Sequence, residues 1–134
     1  MIHVEGLTKR FELSRKQQKE YNTKEKIATA VDHISFECTP GRVFSLLGPN
    51  GAGKTTTMRM LSTIFKPSEG SITIAGIDAV KNPQEARKKI GFLTGSTGLY
   101  ARLTPNELIT YFGKLYGVET SVLNERKEAL YNLL

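Results

Sequence analysis

The stretch Gly48-Pro49-Asn50-Gly51-Ala52-Gly53-Lys54-Thr55-Thr56 decides how the rest of the chain is read. It fits G-x-x-x-x-G-K-[ST], the pattern of a phosphate-binding loop. Gly51 and Gly53 lack a Cβ, so the backbone can turn its N–H groups inward around a phosphate chain. Lys54 adds a point charge for the β- and γ-phosphates, and Thr55 adds a hydroxyl suited to Mg²⁺. The residues that follow should open a helix whose positive N-terminal end faces the same anion.

The flanks supply the expected context. Val43-Phe44-Ser45-Leu46-Leu47 is a short, mostly apolar run that predicts a buried strand. Thr55 to Phe65 places Met58, Leu61, Ile64 and Phe65 at the spacing of one helix face. Strand, glycine-rich loop and helix follow one another as the motif requires.

Composition narrows the classes. A chain of 134 residues suffices for one modest domain with a core. Hydrophobic content of 39% and charged content of 24% suit a water-soluble globular protein. No apolar run reaches the about 18 residues that a membrane span needs. The N-terminus opens on alternating Ile2, Val4 and Leu7 rather than on a leader pattern. The single cysteine, Cys38, excludes an internal disulfide and reads as a small buried hydrophobe in a strand. Together these predict a cytoplasmic protein.

The net charge is +6, and its excess is local. Residues 9–26 hold seven Lys or Arg against three Glu, whereas residues 27–80 are balanced at four of each. Within this basic stretch, residues 12–26 read as a solvated insertion, a loop or frayed helix without apolar period. A contact with anionic lipid or an acidic partner is the sharper alternative. Nucleic acid is not expected, because Tyr21 is the only aromatic residue there to stack on a base.

A coarse pass predicts strands at 2–7, Ile27–Val31 and Ile34–Cys38, paired antiparallel, with a turn at Pro40-Gly41. Ser71–Ala75 and Ile90–Leu93 read as further strands. Asn82-Pro83-Gln84-Glu85 and Thr104-Pro105-Asn106-Glu107 are helix starts, with Pro at the first helical position and Glu at the third. The second opens an amphipathic helix with a stripe of Leu108, Ile109, Tyr111, Phe112, Leu115 and Tyr116, read as packing surface. Gly117 is its C-cap. Ser121 is the expected cap of a last helix carrying Val122, Leu123, Leu130 and Leu134. His33, Asp32 and Asp78 read as turn or surface residues rather than ligands.

The order of these pieces resembles the N-terminal half of an ATP-binding cassette (ABC) ATPase. The resemblance runs along nearly the whole chain: Leu7-Thr8-Lys9-Arg10-Phe11, Val31-Asp32-His33-Ile34-Ser35-Phe36, Pro40-Gly41-Arg42-Val43, the loop at 48–56, and Pro67-Ser68-Glu69-Gly70-Ser71-Ile72. The segment from Ile90 through Thr104 looks like the entry to that family's helical subdomain. Among branches, the chain looks most like bacterial subunits of sodium- or drug-exporting transporters.

The resemblance implies an α/β fold: a P-loop NTPase core with an antiparallel β subdomain at the N-terminus. It implies an antiparallel part over 1–47 with the basic insertion at 12–26, a P-loop core over 43–103, and the start of a helical subdomain over 104–134. It implies ATP and Mg²⁺ as cofactors, with Gly48, Asn50, Gly51, Ala52, Gly53, Lys54, Thr55 and Thr56 on the phosphates and Thr55 on the metal. Phe11 falls where the family stacks an aromatic ring on adenine; edge-strand packing is the plainer reading of the same residue.

Two features depart from the family pattern. Where the family has a glutamine that touches the metal and the attacking water, this sequence has Gly95, flanked by Thr94 and Ser96 as hydroxyl substitutes. The family's acidic strand, serine-glycine signature and switch histidine do not occur in the 134 residues. The expectation is therefore a truncated piece with no complete catalytic set, binding nucleotide at most. The whole protein is expected to hydrolyse ATP in a head-to-tail dimer with a second ATP-binding subunit. It would drive export through membrane permease subunits at the inner face of the cell membrane. The alternatives are a non-transport ABC ATPase and a non-catalytic nucleotide-binding module.

Overall fold

The computed structural model describes residues 1–93, 95, 98 and 100–133. The chain divides into two compact units, Met1–Phe92 and Leu93–Leu134. The first contains strand β1 (Ile2–Glu12), helix α1 (Arg15–Glu20), strand β2 (Ile27–Cys38), helix α2 (Lys54–Leu61), strands β3 (Glu69–Ile74) and β4 (Ile77–Asp78), and helix α3 (Pro83–Arg87). The second holds helices α4 (Pro105–Leu115) and α5 (Thr120–Leu133).

The strands form one antiparallel sheet in the order β2-β1-β3-β4. Val4, Leu7, Val31, Ile72 and Ile74 from the sheet and Met60 from α2 meet in a single core, closed by Ala79 and Ala86. β1 bulges at Gly6, which has φ 56° and whose N–H donates to Ser35 Oγ at 2.9 Å. The bulge breaks the two-residue alternation, so Leu7 and Thr8 are both buried. Thr8 is satisfied there: its hydroxyl donates to the Gly6 carbonyl at 3.3 Å and accepts from the His33 N–H at 3.0 Å.

Several expectations require correction. β2 is one continuous strand, not two; His33 at φ 46° marks an irregularity within it rather than a turn. The basic insertion, expected as a loop or frayed helix, takes the second form: it contains a helix, α1, fixed by a capping box in which Ser14 Oγ accepts from the Gln17 N–H and the Gln17 side chain accepts from the Ser14 N–H. Val43–Leu47 forms no strand, and Val43 and Leu47 are 96% and 91% exposed. Ile90–Leu93 forms none either, and Leu93 is 85% exposed. The reason is common to both: a strand of a parallel core needs hydrogen-bonded neighbours and cover on both faces. Among the described residues no strand pairs with either run.

Helix α2 stops at Leu61 and turns inward only part of the predicted face: Leu61 and Phe65 pack against the core. Thr57 and Met60 are buried, while Met58 and Ile64 are 44% and 56% exposed. The helix ends in a Schellman motif: the Thr63 N–H donates to the Met60 carbonyl and the Ile64 N–H to the Arg59 carbonyl. Thr63 therefore occupies the left-handed position at φ 60°, where glycine is favoured, and its buried Oγ1 has no partner among the described residues.

In the second unit α4 carries the predicted capping box, Thr104 with Glu107. Its C-terminal end is a Schellman motif with Gly117 at φ 68°. The cap of α5 is Glu119 rather than Ser121: its carboxylate accepts from the Ser121 hydroxyl and from the N–H groups of Ser121 and Val122. Leu123 packs so close to Gly113 that a Cβ there would lie 2.6 Å from it. The predicted stripe on α4 is only partly used: Leu108 and Ile109 are half-buried, but Tyr111, Leu115 and Tyr116 are 52%, 63% and 82% exposed. A two-helix hairpin buries only the facing side of each helix. Leu134 lies outside the described residues.

Replacing Thr63 by glycine should raise stability by about 1 kcal/mol, because left-handed strain and an unpaired buried hydroxyl are both removed. A urea midpoint below that of the unsubstituted chain would refute the strain. The Glu107 and Glu119 carboxyls, held by backbone and hydroxyl donors, lie below the usual carboxylate range. A depressed folded-state value means their contribution is complete above the unfolded value of about 4.3 and is lost as pH falls through the folded one. NMR titration should show both midpoints below about 4.3, with cap N–H shifts following them; midpoints at or above that value would remove the caps.

Candidate phosphate-binding site

The loop joins the sheet to α2 through backbone contact. Gly53 is the N-cap of α2 at φ 82°, and a Cβ on it would lie 2.4 Å from the Ala30 carbonyl oxygen and 3.0 Å from Val31 Cγ2. Glycine is required there twice, for its left-handed backbone and for the close approach to β2. Gly51 is also left-handed, at φ 85°, with open space around it. The Ala52 N–H closes the turn on the Pro49 carbonyl at 3.2 Å. The Gly53 carbonyl accepts from both the Thr57 N–H at 2.8 Å and the Thr57 hydroxyl at 3.0 Å, locking the first turn of α2 onto the loop.

Lys54 folds back over this loop, its Nζ donating to the carbonyls of Gly48 and Pro49, each at 2.6 Å. Among the described residues the backbone N–H groups of Gly51, Gly53, Lys54, Thr55 and Thr56 find no acceptor. The structure thus gathers open amides and one ammonium at a helix start, the donor set an oxyanion cluster requires. Asn50 and Thr55 are exposed and Thr56 is half-buried.

Phe11 lies near the end of β1, opposite Ala28 of the same strand whose Ala30 receives Gly53. Its ring meets Phe65 edge-on at 5.7 Å, and Lys9 Nζ lies 5.1 Å from its centroid. The packing partner was not foreseen from the sequence; the one available signal was the aromatic residue four positions after the end of α2.

Gly95 sits exposed in a turn. Thr94 and Ser96, the hydroxyls considered beside it, lie outside the described residues. Asp78, expected in a turn, ends strand β4 instead; its Oδ1 accepts from the N–H groups of Lys81 and Val80 at 3.0 and 2.9 Å, which holds its carboxyl below the usual range. His33 bridges two carboxylates, with Nδ1 2.6 Å from Asp32 and Nε2 3.5 Å from Glu69. Cys38 is half-buried, and desolvation pushes its thiol up. Among the described residues no helix is long and apolar enough to cross a membrane.

Residues 31–133 match the family model described as ABC transporter. The chain belongs to the ABC transporter family. The ABC transporter ATP-binding protein NatA of Bacillus subtilis is 44% identical over 111 residues, which cover 82% of this chain and 45% of NatA. The bacitracin transport ATP-binding protein BcrA of Bacillus licheniformis is 40% identical over 89 residues, 66% of this chain and 29% of BcrA. The chain thus spans under half the length of these curated ABC relatives. Among solved structures, the dimeric bacterial ABC transporter cassette MJ0796 matches with a TM-score of 0.67 at 27% identity, over 83% of this chain and 46% of that one. The mixed α/β fold with its antiparallel sheet is therefore that of an ABC cassette.

Gly53→Ala should destabilise the first unit by about 2–4 kcal/mol, from left-handed strain plus a backbone clash. Gly51→Ala, with the same φ and open space, should cost about 1 kcal/mol. Equal losses for the two in urea unfolding would mean that the approach of Gly53 to β2 is not tight.

Proposed function

We propose that this chain is the nucleotide-binding part of the ATP-binding subunit of an ABC transporter. The observation that carries the reading is the set of open N–H donors of Gly51, Gly53, Lys54, Thr55 and Thr56 gathered with the Lys54 ammonium at the start of α2. The triphosphate of ATP lies along Gly48–Thr56, with Lys54 leaving its two carbonyls for the β- and γ-phosphates and Thr56 toward the α-phosphate. Thr55, exposed at the helix start, offers its hydroxyl to Mg²⁺, which when bound neutralises charge on the phosphate oxygens. Phe11 offers its ring to adenine.

In the whole protein a second ATP-binding subunit, head to tail, completes the site. Hydrolysis then drives export through membrane permease subunits, with the ATP-binding subunit peripheral to the cytoplasmic face. The names of NatA and BcrA and the dimeric state of MJ0796 support this part of the reading. Residues 104–134 then begin the helical subdomain, and Gly95 leaves the position of the family glutamine without a ligating side chain.

Calorimetric titration with MgATP tests the site. Lys54→Ala should weaken binding at least tenfold, since the one cation at the loop is lost. Equal affinity in the variant and the unsubstituted chain would end the assignment.

A further inference from the structure

We propose that Lys9 is a positioning residue for the purine contact: its ammonium fixes the ring of Phe11 as a stacking surface. The inference rests on the assignment of Phe11 and the loop given above and adds to it a residue to which the resemblance assigned no role.

Lys9 Nζ is held in place, donating to the Lys66 carbonyl at 2.7 Å. From there it lies 5.1 Å from the centroid of Phe11 and 5.9 Å from that of Phe65, within cation–π range of both. The rings themselves meet at 5.7 Å with an interplanar angle of 76°. Arg59 adds a second cation, 5.6 Å from Phe65. One ammonium thus joins an aromatic pair to a backbone carbonyl.

The surrounding backbone makes that placement firm. The Ser68 N–H donates to the Thr8 carbonyl at 2.8 Å, and the Arg10 N–H donates to Ser68 Oγ at 3.0 Å. Arg10 also pairs with Glu69, which holds that carboxyl below its ordinary range. The link between α2 and β3 is therefore stitched to β1 on both sides of Lys9. Phe65 belongs to that link, four residues after the end of the helix that Lys54 begins. Through Lys9 and Phe65, the orientation of Phe11 is tied to the helix that opens at the phosphate loop.

Two consequences follow for a bound base. With the cation on one face of Phe11, a stacked purine would take the opposite one, so the side of approach would be set. The same cation draws π density toward itself, which favours an electron-rich base on the other side.

The test is calorimetry on the 134-residue chain with MgATP and with magnesium tripolyphosphate, which lacks base and ribose. Lys9→Met keeps the unbranched stem and removes the charge; it should weaken MgATP about three- to tenfold and leave tripolyphosphate within about twofold. Lys9→Arg, which keeps a cation, should recover most of the loss. Phe11→Ala should weaken MgATP in the same selective way. If Lys9→Met binds MgATP normally while Phe11→Ala is impaired, the role of Lys9 is refuted and the base contact stands. If Lys9→Met loses both ligands equally, its effect is a general one and the inference fails. If Phe11→Ala binds MgATP normally, the base contact fails and the inference with it.

Discussion

The first unit depends on one backbone approach, Gly53 of the loop against the Ala30 carbonyl of β2. A side chain at that point would hold loop and sheet apart by the width of a methyl group. With none, α2 begins directly on the sheet, and its first turn carries Thr57 and then Met60 into the core around Val4, Leu7, Val31, Ile72 and Ile74. The Gly53 carbonyl, bonded twice by Thr57, keeps the helix from sliding off that start. The residues that shape the candidate ligand site are thus the ones that join helix to sheet, and the loop cannot be remodelled without loosening the core.

Much of this was legible in the sequence where a local rule applied. The glycine-rich run before Lys54, the capping box from Thr104 to Glu107, and Gly117 behind its helix each follow from chemistry within a few residues. The first strand, too, showed in the spacing of Ile2, Val4 and Leu7, although the bulge at Gly6 interrupts the alternation before Leu7. What failed depended on distant partners. Val43–Leu47 and Ile90–Leu93 have the composition of buried strands, yet a strand is defined by its neighbours, and composition does not supply them. The break expected between Val31 and Ile34 is a backbone irregularity at His33, braced by a bond to buried Thr8 on another strand. No window over residues 27–38 contains that bond.

The site divides along the same line. The conformation of the loop was readable because spacing sets it: left-handed Gly51 and Gly53, then the helix start at Lys54; its phosphate role is the reading proposed above. The aromatic end was only half readable. Phe11 stood out, but Phe65 and Lys9 gained their meaning from the link between α2 and β3 folding back across β1. The register of that link is set by Ser68 and Glu69, polar residues that sequence patterning treats as a turn. Helix α2 shows a related limit: its buried face was only partly foreseen because Thr57, a polar residue, takes an inward position by bonding its hydroxyl to the Gly53 carbonyl.

The two carbonyls that hold Lys54 give the loop a threshold as well as a shape. An ammonium already solvated by its own chain does not attract whatever anion drifts past. A ligand must offer more than the two dipoles it displaces, and it must do so in the direction of the open amides. A single diffuse charge such as chloride gains little by that exchange, whereas several oxygens on linked phosphorus atoms replace both carbonyls and meet the amides together. Under the proposed assignment of the loop, the resting position of one side chain disfavours small single anions.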